Sequence, residues 1–180
     1  MKNVIKIISL AMLFTLIAPQ AYSQKCKFDY QKKDQITGEE TKGNSVNIYS
    51  KSMSLVPKTS SKISFNKIGE TYYFEIIIDF HGVVRDIIQK GDAITFKLSN
   101  GEVITIYAQN EIIPSAQVIA GERVMTRYKG KYDIDAATLQ KIAENMPTFI
   151  RANVGSTIYE EEIAVGCGKK IIQAATCILQ

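Results

Sequence analysis

The chain has 180 residues, of which 22 are basic, 18 acidic, one His and none Trp; apolar residues make up 46% and charged residues 22%. That length is one domain's worth, and the composition excludes a disordered chain, a collagen, a coiled coil and a dense disulfide scaffold as descriptions of the whole. A formal net charge of +4 is too small for the basic footprint of a nucleic-acid binder, so no nucleic-acid partner is expected.

Residues 1–23 read as a secretory signal peptide. Lys2 and Lys6 form a positive start. Ile7 to Ala18 is an apolar run broken only by Ser9 and Thr15, and Ala21-Tyr22-Ser23 sets small residues before a cut at Gln24. The run is shorter than the roughly 20 residues a membrane span needs. Cys26 follows Ser23-Gln24-Lys25, not the Leu-x-Gly or Leu-x-Ala pattern of a lipoprotein, so lipidation is not expected. Cleavage removes two Lys and no acid, leaving 157 residues with 20 basic against 18 acidic. Residues 24–180 are expected to form a single α+β domain with no transmembrane segment, in the periplasm or outside the cell.

Turn chemistry divides the first part of this domain into hairpins. Thr37-Gly38 turns between Lys27–Ile36 and Glu40–Tyr49. Gly69-Glu70 puts Gly first, as a type II′ turn prefers, and pairs Phe65 with Phe74 and Ile63 with Ile76. The second strand of that hairpin, Thr71–Phe80, ends at His81. Asn100-Gly101 is the preferred two-residue type I′ loop. It pairs Leu98 with Val103, Phe96 with Thr105 and Ile94 with Tyr107, leaving Ile104 and Ile106 on the opposite face and the hairpin covered on both sides. Gln117–Tyr128 reads as extended, one strand or two around Gly121.

Helical periodicity follows. Asp135 is a suitable N-cap for a helix over Ala136 to Met146, where Leu139, Ile142, Ala143 and Met146 share one face. Ile134 is placed to meet Leu139 as a hydrophobic staple, and Pro147 stops the helix. Thr148–Val154 reads as a strand. A second helix reads from about Glu160 to Leu179, capped by Ser156 or Thr157, with Ile163, Cys167, Ile171, Ala174 and Ile178 as its stripe. Glu160, Glu161 and Glu162 would suit the positive end of its dipole. Gly166 and Gly168 cost it roughly 1 kcal/mol each, so its first half is open to a strand or loop instead. The fold class is α+β: a mostly antiparallel β-sheet of several hairpins with two α-helices in the C-terminal half packed on one face.

Candidate chemistry is sparse. His81 stands in Asp79-Phe80-His81-Gly82 and is the only histidine. Oriented by Asp79 or Asp86 it would be a base; the plainer reading is a polar residue at a strand end. One His cannot supply a His-rich zinc site. No Gly-x-Ser-x-Gly elbow and no Gly-rich phosphate cradle occurs. Glu160-Glu161-Glu162 reads as a solvated first turn, because consecutive residues point in different directions and do not make a glycosidase pair. No catalytic residue, metal or cofactor is expected. Arg123, Arg127, Tyr128, Lys129, Lys131 and Tyr132 interleave cations with aromatics. They form a candidate ligand-binding set for an anionic polymer such as a glycan, with an exposed strand and turn around Gly130 as the alternative.

Three cysteines follow the cleavage site. Ten residues of continuous helix would hold Cys167 and Cys177 about 15 Å apart, beyond the roughly 4.4–6.8 Å between Cα atoms that a bridge tolerates. Cys26 therefore takes one partner or stays free. The expected bridge is Cys26–Cys177, with Cys26–Cys167 the alternative, and Cys167 lies on the apolar stripe as a small hydrophobe.

Phe28-Asp29-Tyr30, Asp34 and Thr37-Gly38-Glu39, followed by Tyr132, Leu139, Ile142 and Ile150-Arg151, resemble small secreted or periplasmic proteins of Gram-negative bacteria. In those, a strand-rich half carries an Asp-x-x-Thr-Gly turn and is followed by a helix-to-strand unit and a terminal helix. Here Gln35-Ile36 stands where an acidic-aromatic pair is commoner. The resemblance implies an envelope location and no established activity, so it transfers no functional residue. The expected function is a non-catalytic envelope or secreted binding module whose partner is an envelope protein or an anionic polymer. The alternative is a hydrolase-like enzyme with a site near His81.

Overall fold

A computed structural model describes residues 26–48, 60–119 and 123–180. The signal segment, its cleavage site and Gly121 lie outside the described residues. The elements are β1 (Tyr30–Lys33), β2 (Glu40–Ile48), β3 (Ser60–Ile68), β4 (Thr71–His81), β5 (Ala93–Leu98) and β6 (Val103–Tyr107), then β7 (Ser115–Ile119), β8 (Arg123–Asp133), α1 (Ala136–Glu144), β9 (Pro147–Val154), β10 (Thr157–Glu162) and α2 (Val165–Leu179). The strands pair antiparallel and divide into two sheets, one ordered β1-β2-β3-β4-β8-β7 and the other β10-β9-β5-β6. The fold is α+β, with the two helices of the described residues both in the C-terminal half.

One core lies between the sheets. Phe74 of β4 meets Phe96 of β5 edge-on at 5.5 Å between ring centroids, and Phe80 of β4 meets Tyr159 of β10 at 6.2 Å. Burying each such ring or an Ile is worth roughly 1.5–3 kcal/mol, so the alternating apolar residues of β3, β4, β5 and β6 supply the main cohesion. Helix α2 lies against α1, β2, β3 and β9 and buries Cys167, Ile171, Ala174 and Ile178, the stripe expected of it. Gly168 permits that approach: a Cβ there would stand 2.5 Å from Met146 Cγ and 3.0 Å from the Pro147 carbonyl. The same residue that weakens the helix lets it dock. Helix α1 begins as expected, Asp135 accepting from the Thr138 amide at 2.6 Å, with Ile134 and Leu139 both buried.

The hairpin at Gly69-Glu70 has the expected register, Phe65 opposite Phe74 and Ile63 opposite Ile76. The segment Gln117–Tyr128 is two strands, with Val118 opposite Val124. Cys26 and Cys177 form the bridge, Cα atoms 5.4 Å apart, and Cys167 is free and buried.

Three expectations are corrected. Strands β5 and β6 pair Phe96 with Ile104 and Ile94 with Ile106, one residue away from the expected register. The loop has three residues, Ser99–Gly101. The Gly101 amide donates to the Leu98 carbonyl at 3.0 Å, and Gly101 takes φ +89°, as in a turn followed by a left-handed bulge residue. The hairpin is consequently buried on one face only, with Val103, Thr105 and Tyr107 outside. Second, α2 starts at Val165 with Ala164 before it and no side-chain cap. Thr157–Glu162 is strand β10, and Ser156 sits in the β9–β10 turn, its hydroxyl donating to Asp86 at 2.6 Å. Third, Glu160, Glu161 and Glu162 are not a solvated helical turn. Strand alternation sends Tyr159, Glu161 and Ile163 inward and leaves Glu160 and Glu162 outside.

Candidate functional site

The interleaved cations and aromatics of β8 separate at the two-residue period of a strand. Tyr128 and Tyr132 point inward and are 0% and 1% exposed. The Tyr128 hydroxyl donates to the Asp86 carbonyl at 2.6 Å, and burial raises the pKa of both phenols. Neither ring is open to a ligand, so the six residues do not form one binding set. Arg127, Lys129 and Lys131 share the outer face, and each has a partner there. Arg127 donates Nε and Nη2 to the two oxygens of Asp79 at 2.7 and 3.0 Å, which raises its already high pKa. Lys129 Nζ lies 3.5 Å from Glu75, and Lys131 Nζ sits 3.9 Å over the Tyr73 ring. Arg123 opens β8 beside residues outside those described. This face is charged in both signs and locally neutralised, a poor match to a polyanion.

His81 ends β4 in an exposed position opposite Met125. The two acids considered as its orienter are committed elsewhere, Asp79 to Arg127 and Asp86 to Ser156. Among the described residues no cluster of three or more His, Cys, Asp or Glu is placed to hold a metal ion.

An open concavity lies on the outer face of the four-stranded sheet. It is a groove of about 490 Å³ lined by Thr95, Lys97, Val103, Thr148, Phe149, Arg151 and Glu162. Strand register places its floor: Glu162, Phe149, Lys97 and Val103 form one row across β10, β9, β5 and β6. Glu160, Arg151, Thr95 and Thr105 form the next. Arg151 is paired with Glu160 at 2.5 Å. Lys97 and Glu162 stand on either side of Phe149 without an ion-pair partner among the described residues. The groove lining thus carries two cations, Lys97 and Arg151, and one anion, Glu162, around Phe149 and Val103, with Arg151 held by Glu160 beside it. Its residues come from four separate strands, so no local motif announces it; the signal available was the outward half of each alternation, read in the right register.

A polar cluster joins the two sheets inside. Ser61 of β3 donates to Glu161 Oε2 at 3.1 Å. The Tyr159 hydroxyl lies 2.8 Å from Ser61 Oγ and hydrogen-bonds the same carboxyl oxygen. Glu161 is 5% exposed, and its other oxygen, Oε1, has no partner among the described residues. Burial pushes its pKa up to about 7, against the lowering effect of the Ser61 hydrogen bond. The carboxyl thus joins β10 to β3 across the space between the sheets.

Comparison with family models, with curated proteins and with solved structures gives no match for this chain. What the fold defines is a two-sheet α+β domain. Among its described residues no helix is long and apolar enough to cross a membrane.

Proposed function

We propose that this protein is a non-catalytic binding module of the bacterial envelope or extracellular space, and that it holds a polypeptide partner along the groove of the four-stranded sheet. The observation that carries this reading is the row Glu162–Phe149–Lys97–Val103, in which unpaired charges of opposite sign flank the Phe149 ring and a second apolar residue follows. A groove of this size suits a few side chains of a partner. Glu162 in the groove and the pairing of Arg151 with Glu160 oppose a polyanion, whereas a polypeptide offers apolar side chains and charges of both signs. The export signal in residues 1–23 and the resemblance to secreted proteins of Gram-negative bacteria support the location.

A peptide array probed with the mature chain tests it. Phe149→Ala and the charge reversal Lys97→Glu are each expected to weaken captured peptides about tenfold, the cost of losing roughly 1.4 kcal/mol at a binding hot spot. Peptides bound equally by wild type and both variants would remove the groove from the reading. Cleavage of the peptides, abolished by His81→Ala, would replace the module with a hydrolase.

A further inference from the structure

We infer that the free edge of β6 is a self-pairing surface, and that two copies of this chain join there through an antiparallel β6–β6 contact. The inference does not depend on what occupies the groove.

Hydrogen-bond alternation identifies the free groups. The Leu98 amide donates to the Glu102 carbonyl at 2.8 Å, and the Ala108 amide donates to the Asp92 carbonyl at 2.9 Å. Even-numbered residues of this hairpin therefore bond toward β5, and the backbone groups of Val103, Thr105 and Tyr107 point away from it. Strand β6 is the last in its sheet, with no strand beyond it among the described residues.

Sheet edges are normally blunted by charge, Pro or a bulge. Edge strand β1 carries Lys32 and Lys33, and edge strand β10 carries Glu160, Glu161 and Glu162. Edge strand β7 is uncharged, yet Ser115, Ala116 and Gln117 are neither β-branched nor aromatic. Strand β6 reads Val-Ile-Thr-Ile-Tyr, with no charge, no Pro and every residue a strong strand former. Val103 and Tyr107 are 58% and 56% exposed.

The occupant follows from register. A two-fold axis through Thr105 sets Thr105 against Thr105 of the second copy and Val103 against Tyr107 of the second copy. Both are favourable cross-strand pairs, Thr with Thr and β-branched with aromatic. The outward backbone groups meet one another in this register, giving about six hydrogen bonds. Ile104 then faces Ile106 of the second copy along the inner side, and no like charges oppose. Sliding by two residues sets Tyr107 against Gly101, or Val103 against Gln109, and loses the match. The contact is isologous and closed, so it stops at a dimer. It makes one eight-stranded sheet with both grooves on the same face.

The test is the association state of the mature, disulfide-intact chain by sedimentation equilibrium up to millimolar concentration. Wild type is expected to dimerise. Thr105→Lys, which places like charges opposite each other on an exposed position, is expected to weaken the dimer at least about tenfold. An equimolar mixture of Thr105→Lys and Thr105→Glu chains is expected to restore association. Thermal unfolding of each variant checks that the monomer still folds. A wild type that stays monomeric at millimolar concentration overturns the proposal. So does a dimer indifferent to Thr105→Lys, or one broken instead by Val118→Lys on the β7 edge.

Discussion

Glu161 of β10 and Ser61 of β3 lie 100 residues apart in sequence and meet between the two sheets, the serine hydroxyl donating to the carboxyl at 3.1 Å. No cation pairs with this carboxyl among the described residues, and a buried charge without a partner is costly. The fold therefore favours the protonated acid. The Ser61 hydrogen bond favours the ionised form, but the cost of burying the charge between β10 and β3 outweighs it.

The consequence is a stability that falls with rising pH. Glu161 titrates near its ordinary value of 4.5 when unfolded and is pushed up to about 7 when folded. Below about pH 4.5 both states are protonated and nothing is lost. Between 4.5 and 7 the folded state holds more protons than the unfolded one, so stability declines through that window and then levels off. The loss attributable to this one group is on the order of 3 kcal/mol. Glu161→Gln keeps the shape and removes the titration. Denaturant unfolding from pH 4 to pH 8 is expected to show the variant gaining on wild type by that amount. A difference that stays flat over the range would mean that the acid is already ionised in the fold.

His81 is expected to be dispensable. It is exposed, and the two carboxylates that would orient it are held by Arg127 and Ser156. His81→Ala should change stability by less than about 0.5 kcal/mol, as surface substitutions away from special features do, and leave peptide capture untouched. Loss of a measured hydrolytic activity in this variant, with its unfolding midpoint unchanged, would establish a catalytic role.

Two glycines at the start of α2 are expected to respond in opposite directions. Gly166 has open space where a Cβ would stand, so Gly166→Ala should stabilise by up to about 1 kcal/mol through helix propensity. Gly168 gains the same propensity but would drive its Cβ into Met146 and the Pro147 carbonyl. Overpacking of that kind costs roughly 1–3 kcal/mol, so Gly168→Ala should be destabilising on balance. Thermal unfolding of the two single variants decides it; equal shifts would show that α2 does not seat on the α1–β9 junction.

Local rules carried far where one short segment decided the outcome. The Gly69-Glu70 turn, the Asp135 cap and the α2 stripe from Cys167 onward were all legible, because each is set by residues within a turn or two. The β5–β6 register was not. Asn100-Gly101 serves either a two-residue loop or a three-residue loop with Gly101 left-handed, and the difference exchanges inner and outer faces. Burying Ile104 and Ile106 together with Ile94 and Phe96 selects the second. Strand β10 was hidden because three successive glutamates resemble a helix start, and only burial of Tyr159 and Glu161 against β3 and β4 enforces the strand period. Within β8 the partition was available: Tyr128 and Tyr132 are even-numbered and the cations Arg127, Lys129 and Lys131 odd, so one strand cannot present them all on one face. The groove needed the long-range pairings of β10, β9, β5 and β6, which no local pattern specifies.

The exported protein is expected to begin at Gln24 and to carry one bridge and one thiol. Cys26 and Cys177 are separated by 151 residues and bonded. Closing a loop of that length stabilises by at most roughly 5 kcal/mol in the chain-entropy account, and commonly by less. Cys26 lies just ahead of β1 and Cys177 in the last turns of α2, so the bond ties segments that would otherwise fray first. An oxidising compartment is what such a bond requires, which joins the bridge to the signal segment in one prediction. Cys167 is buried on the inner face of α2 and should resist alkylation in the native protein. After denaturation without reductant, a single thiol should react. Intact mass before and after alkylation, with peptide mapping, reads the start site, the bridge and the free thiol together. A chain retaining Met1, three alkylatable thiols, or a bridge through Cys167 would each overturn the corresponding part.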